Sequence, residues 1–311
     1  MNKKFVILAD CTCDLNADIR AAIGMEDYLP GHVHFDDGRD FPTTLDWSNI
    51  SREEFYKILS SKNRKVTTAP PSQEEYYDKF KYYVQQGYAI LSMSLSSALS
   101  STHGFACTSA ERVRAEFPEA EIYCLDSFRM SGAFGLLVIH AHLLKNQGKS
   151  YEETIAWLEE NKYCVHQMGP IDDLIFVARR GRLTMGKAIM GSFAGVKPMG
   201  DCNATGYTTV LHKAKGIKAA LDITVKYVKE MAIEPEKQTL LIAHSNREAY
   251  AELLRQQVEE QIKPAQLYVT DVFSGCGTNV GPGMIGIYFL GGKISEEMEA
   301  EKEAFKKITG K

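Results

Sequence analysis

The residues best suited to chemistry lie in short polar stretches, the first being Asp10-Cys11-Thr12-Cys13-Asp14-Leu15, directly behind the apolar run Phe5–Ala9. Paired aspartates behind a strand could transfer a phosphoryl group, but that chemistry sets them on alternate positions, and here they stand four apart. Asp14 reads instead as a helix N-cap, and Asp10 is free to hold a partner or an ion. Cys11 and Cys13 could contribute to a metal or redox site, yet no second cysteine pair or histidine cluster completes a zinc-like set, so no metal is expected.

Two further stretches are dominated by hydroxyls: Thr67-Thr68-Ala69-Pro70-Pro71-Ser72, and the run from Ser92 to Thr102 that contains Ser96-Ser97 and Ser100-Ser101. Hydroxyls at a helix start commonly serve as caps. A strand, a serine pair and a helix N-terminus also make an anion site, because free backbone N–H groups and the helix dipole favour a carboxylate or phosphate. A ligand that is acidic at one end is the expectation. The basic stretch Arg179-Arg180-Gly181-Arg182-Leu183 follows Asp172-Asp173-Leu174, with Val196-Lys197-Pro198 and Lys213-Ala214-Lys215-Gly216 beyond it. It reads either as a solvated face or as a contact for an acidic head group or anionic partner. Gly275-Cys276-Gly277-Thr278-Asn279-Val280-Gly281-Pro282-Gly283 lets backbone approach a ligand closely, but no Gly-Lys-Ser/Thr follows to make it a P-loop. An enzyme using Asp10, Asp14 or His103 with a serine nucleophile is the competing reading. It lacks a Gly-x-Ser-x-Gly turn, and spacing pairs no base with Ser96.

These loops need a frame. Apolar runs at Phe5–Ala9, Ala89–Met93, Ile122–Leu125, Val165–Gln167, Leu240–Ala243, Leu267–Val272 and Met284–Phe289 alternate with helical periodicity. The pattern predicts an α/β protein with mainly parallel sheets, whose ligands sit where loops leave the strand ends. Ser72 with Glu75, and Ser51 with Glu54, read as capping boxes. The stretch Ser131–Leu144 is apolar nearly all round and should be deeply buried. Gln147-Gly148-Lys149-Ser150 interrupts two helical patterns, which divides the chain into an N-terminal α/β domain, residues 1–150, with the hydroxyl loops, and a C-terminal α/β domain, residues 151–311, with the basic and glycine loops.

At 311 residues, with 44% apolar and 24% charged side chains, the chain can bury a sizeable core. A net charge of −4 without a long Lys/Arg tract argues against nucleic acid as the main ligand. The first apolar run ends at Asp10, too soon for a signal peptide, and no stretch approaches the ~18 apolar residues that span a bilayer. The expectation is a cytoplasmic protein with no stable membrane insertion. The seven cysteines, odd in number, are expected to be reduced thiols.

Taken in order, Asp-Cys-Thr-Cys-Asp-Leu at Asp10, Thr-Thr-Ala-Pro-Pro-Ser at Thr67, Ser-Leu-Ser-Ser-Ala-Leu-Ser-Ser-Thr at Ser94, Asp-Asp-Leu at Asp172, Arg-Gly-Arg-Leu at Arg180, Val-Lys-Pro at Val196 and Gly-Thr-Asn-Val-Gly-Pro-Gly at Gly277 resemble the motif series of the DegV family of bacterial fatty-acid-binding proteins, across almost the whole chain. The resemblance implies a two-domain DegV-like (EDD) fold with a long-chain fatty acid between the domains, its acyl chain in an apolar tunnel. It implies a carrier without catalytic residues or a cofactor, the acid being phosphorylated by a separate fatty acid kinase. Carried over by position, Thr68, Ser96 and Ser97 bind the carboxylate with Thr278 and Asn279 of the glycine loop, and Arg182 with Arg180 marks the mouth or a partner-facing loop. The tunnel lining could include Ser131–Leu144 and Ile189–Val196, or these could be solid core. Asn279 stands where the family has histidine; it can donate to a carboxylate but cannot become cationic.

Overall fold

The computed structural model describes residues 3–182 and 195–310; Leu183 and residues 189–194, named above, lie outside the described residues. The run Phe5–Ala9 is buried on both faces and becomes β1 (Phe5–Asp10), flanked by β2 (Tyr28–Leu29), β6 (Ala89–Ser94) and β7 (Ile122–Asp126) in the order β2-β1-β6-β7, every pair parallel. A second sheet has the order β12-β11-β13-β8, from β8 (Val165–Met168), β11 (Thr239–His244), β12 (Gln266–Asp271) and β13 (Ile285–Leu290). Only β11 and β12 are parallel there, since β13 runs antiparallel to both β11 and β8. Alternation of strands and helices announced the sheets but not each strand's direction, and an α/β sheet accepts antiparallel strands readily.

Two smaller units did not show as apolar runs. A three-stranded antiparallel sheet, β3 (His32–Phe35) with β4 (Asp40–Pro42) and β5 (Val66–Ala69), packs Val33, Phe35 and Val66 on Phe55 and Tyr56 of α2 (Arg52–Ser60). Thr67 and Thr68 therefore sit on a strand, not in the loop that Pro70-Pro71 suggested. The second unit is the hairpin β9 (Val196–Cys202) and β10 (Thr208–Lys215). It is fixed to the second sheet by buried His166, whose Nδ1 lies 2.7 Å from Asp201 Oδ2, while Tyr227 Oη donates to the same oxygen at 3.2 Å.

Helices α1 (Ala17–Ile23), α3 (Gln73–Gln85), α4 (Thr102–Glu116), α5 (Ser131–Asn146) and α6 (Tyr151–Asn161) belong to the first half; α7 (Leu174–Arg179), α8 (Gly216–Met231), α9 (Glu248–Gln261), α10 (Ser274–Val280) and α11 (Glu299–Thr309) follow. The Ser72–Glu75 capping box opens α3, and Ser51 caps α2 by accepting from Glu54 N. No helix among the described residues is long and apolar enough to cross a membrane.

Helix α5 packs against β1, β8, β11 and β13, and so stands between the two sheets. Phe134, Leu136, Leu137, Val138 and Ile139 are inaccessible to solvent, each contributing about 1.5–3 kcal/mol. Gly132 and Gly135 allow this approach: a Cβ would lie 2.2 Å from the Tyr288 ring at the first and 2.3 Å from the Cys13 carbonyl at the second. The division expected at 150/151 falls in the loop after α5, but α6 packs back on α5 and β6, with Tyr151 Oη donating to Ile90 O at 3.1 Å. We propose that the two halves share the α5–α6 layer.

Asp14 is not the N-cap of α1; it closes the short 3-10 turn Cys11–Cys13 at its C-terminal end. It adopts a left-handed conformation (φ 52°) and is fully buried, while Asn16 caps α1 by accepting from Ile19 N. Ser131 Oγ lies 2.6 Å from Asp14 Oδ2, Phe273 N donates to Oδ1 at 2.9 Å, and Thr270 Oγ1 donates to the Asp14 carbonyl at 2.7 Å. One residue thus joins the β1 loop to the start of α5 and to the end of β12. Burial pushes its carboxyl up to about 8, against the hydrogen bonds that favour the ionised form. Unfolded, it titrates near 3.9, so between roughly pH 4 and pH 8 the folded chain keeps a proton that the unfolded chain releases, and stability falls as pH rises. Asp14→Asn should lower the loss of thermal midpoint between pH 5 and pH 8 relative to wild type; equal losses in a melting series would contradict this.

Candidate functional site

The turn after β1, the loop between β6 and α4, the edge strand β5 and helix α10 converge on a cavity of about 170 Å³. Its polar wall includes Thr12, Thr68, Ser100, Ser101, Thr102 and Asn279, and its apolar wall includes Leu95, Leu99, Met130, Val177 and Val280. A second cavity, about 40 Å³, adjoins it across Met130, Val177 and Val280 and reaches Met168, Ile171, Met284 and Tyr288. Ser131, Gln167 and Thr208 are polar members of the second lining, which is otherwise mainly apolar. A hydroxyl-rich space that opens on a mainly apolar one suits an amphiphile with an acidic head.

The hydroxyl end is built on the start of α4. Ser101 occupies the N-cap position but makes no side-chain cap bond, and Ser100 Oγ and Thr102 Oγ1 lie 2.7 Å apart. A helix start with an uncommitted hydroxyl and a favourable dipole suits an anion. Across the cavity, Asn279 Nδ2 sits 3.4 Å from both Thr68 Oγ1 and Gly275 O, long contacts that leave the amide able to turn to a ligand. Thr68 and Asn279 thus meet, although 211 residues separate them.

Beneath them Asp10 braces the loops. Its carboxylate accepts from Thr12 N at 2.8 Å, from the Thr12 hydroxyl and from Leu95 N at 2.9 Å, which ties the β1 turn to the β6 loop. Burial pushes its carboxyl up to about 6, against the hydrogen bonds from Thr12 and Leu95 that favour the carboxylate, so at neutral pH it stays mostly ionised. Cys11 and Cys276 also line the cavity, and burial raises both thiols, Cys11 to about 12, so they stay protonated and unreactive. Among the described residues no cluster of three His, Cys, Asp or Glu side chains could hold a metal ion.

Of the other candidates, Ser96, Ser97, Thr278 and Arg180 fall outside the cavity lining, while Arg182 borders it. Ser96 is buried in the turn, its Oγ accepting from Ala98 N at 3.3 Å, and exposed Ser97 donates its backbone N–H to Asp126 Oδ1 at 3.2 Å. Both shape the loop, while Ser100, Ser101 and Thr102, a few residues on, face the space. Sequence reasoning chose the earlier pair and missed these three, which lie later in the same hydroxyl run at the start of α4. Thr278 is inside α10, its hydroxyl donating to Ser274 O at 2.8 Å, because the glycine-rich stretch is a helix up to Val280. Arg180 is spent on Val66 O at 2.9 Å and on the Phe176 ring, whereas exposed Arg182 reaches the cavity rim. Asp172 pairs with Lys197 and Arg247, both at 2.5 Å, and Asp173 caps α7. His103 points at Cys107, not at the cavity, and no histidine lines it among the described residues.

Comparison with known proteins fits this geometry. Residues 4–291 match the family described as "Uncharacterised protein, DegV family". A DegV domain-containing protein of Clostridium perfringens is 30% identical over 289 residues, covering 93% of this chain and 98% of its own. Among solved structures, a DegV family protein from Thermus thermophilus described for fatty acid binding superposes with a TM-score of 0.81 at 24% identity, over 94% of this chain and 100% of that one. The Streptococcus pneumoniae Fatty Acid Kinase (Fak) B3 protein loaded with linoleic acid gives 0.78 at 18% identity, over 93% and 99%. At such identities these likenesses show the fold.

The hairpin tip holds the serine loop in place. Gly206 has φ 88°, and a Cβ there would lie 2.1 Å from Ser96 Oγ, while Tyr207 Oη donates to Ala98 O at 2.9 Å. Gly206→Ala should cost about 1–3 kcal/mol in urea unfolding. Ser96→Ala added to it should recover part of that cost, and strict additivity of the two changes would contradict the contact.

Proposed function

The chain belongs to the DegV family, and on that premise we propose that it carries a long-chain fatty acid, with the carboxylate at Thr68, Ser100, Ser101 and Asn279 and the acyl chain running past Met130 toward Met284. The observation that carries this reading is a cavity bearing hydroxyls and the Asn279 amide that adjoins a second space of mainly apolar lining. Neutral donors suit a carboxylate that has to be held and released: they satisfy its oxygens without a buried countercharge that would make departure costly. The acyl chain supplies most of the affinity, at about 0.8 kcal/mol per buried CH₂.

Lipid carriage accounts for the side chains better than catalysis does. Asp10 is committed to Thr12 and Leu95, Asp14 is sealed behind Ser131, and neither is positioned to activate a serine at the cavity. Related proteins in the family are described with bound fatty acids, and one is named as part of a fatty acid kinase. The reading extends that role: the loaded chain presents its carboxylate, in the cytoplasm, to a separate kinase that supplies the phosphoryl chemistry. Arg182, exposed on the cavity rim, is the side chain suited to meet an incoming carboxylate or an acidic partner.

The head assignment is tested by titration with a fluorescent C16–C18 acid. Thr68→Val combined with Asn279→Leu should weaken binding by about tenfold or more, the worth of one or two hydrogen bonds to a charged group. Ser97→Ala should leave affinity within about twofold. The opposite order of effects would return the carboxylate to the Ser96–Ser97 turn.

A further inference from the structure

The neck between the two cavities sets a condition on what can cross it. Among the described residues three side chains border both spaces: Met130, Val177 and Val280. Two of them have little freedom to give way. Val177 lies on α7 and Val280 ends α10, both are buried, and a β-branched side chain in a helix keeps one dominant rotamer. The two helices are also pressed together, since Gly281, directly after α10, has φ 70° and a Cβ there would lie 2.7 Å from the Phe176 ring of α7.

Met130 differs from both. It is half-buried, precedes α5 in an extended conformation, and carries an unbranched thioether side chain that adapts to its surroundings. Its main chain is fixed: its carbonyl accepts from Ala133 N at 3.1 Å, and the preceding carbonyl, of Arg129, accepts from Ser96 N at 2.8 Å. The side chain is therefore the part of the neck that can move. Beyond it, Met168 and Met284 line the second space with the same adaptability, so the walls there yield to a chain that has passed. Selection falls at the neck.

We propose that Met130 is the gate of the acyl site: its side chain swings aside for a straight chain long enough to leave the head cavity, and so decides how much of the ligand is buried. The proposal rests on the fatty-acid reading and adds to it the residue that sets chain-length preference. A short acid stays in the head cavity, where affinity comes from the carboxylate contacts and the nearby apolar wall. A longer one gains about fourfold in affinity for each further CH₂ that it buries beyond the gate. Length dependence is thus the signature of Met130, because a residue that merely supported the fold would alter short and long acids alike.

The test is isothermal titration calorimetry of the delipidated full-length protein with straight-chain acids from decanoic to hexadecanoic. In the wild type, affinity should climb with length across the series. Met130→Phe should stop the climb partway, weakening hexadecanoic acid by about tenfold or more, the worth of about two or more buried CH₂ groups, while decanoic acid stays within about twofold. Met130→Ile, of similar volume but stiff at χ1, should show the same length-selective loss in smaller measure, and it tests the gate should the larger ring unfold the chain. Equal loss at every length, or no loss for hexadecanoic acid in either variant, would overturn the gate and leave the carrier reading standing. Failure of the wild type to bind an acid of any length would remove that reading, and the gate with it.

Discussion

Asp14 has no water to solvate it, so each element that approaches it has to offer a donor, and the architecture follows from meeting that demand. Ser131 answers from the first residue of α5 and Phe273 from the segment after β12, while Thr270 takes the carbonyl of the same residue. An unpaired buried carboxyl would cost several kcal/mol, so these contacts are held together or lost together. The cavity lies on the other side of the same turn, where Asp10 does the equivalent for the β6 loop. One short segment, Asp10 to Asp14, thus positions both halves of the polar wall.

The main strands were legible because each carries a short apolar run, and β1, β6 and β11 are buried almost throughout. The sheet of β3, β4 and β5 was not, since β4 has only three residues and β5 ends against two prolines, so local chemistry read as turn. α10 was hidden for a related reason: its glycines mark close approach, with a Cβ at Gly277 falling 2.7 Å from Tyr56 Oη, not freedom to loop. The candidate site was half legible. Thr68, Asn279 and Arg182 border the cavity, while Ser96 and Ser97 turn away from it, because a motif counts residues and a turn decides where they point. Asp14 and Asn16 differ in the same way: either could cap α1 by type, and only the tertiary donors around Asp14 decide which one does.

The proposed head site has a consequence for specificity. Its donors are neutral, Asp10 close below is mostly ionised at neutral pH, and among the described residues the one cation that borders the cavity is exposed Arg182 at its rim. Affinity for a short acid would then be weak, because little apolar surface is buried to offset the entropy of association. A long chain that continues into the space around Met168 and Met284 can supply it.

The most direct measurement is solvent extraction of the purified full-length protein followed by mass spectrometry of whatever small molecule it carried. The account predicts about one long-chain fatty acid per chain, in keeping with a single polar head site joined to an apolar extension. An empty extract, together with no uptake of added long-chain acid in a binding titration, would contradict it.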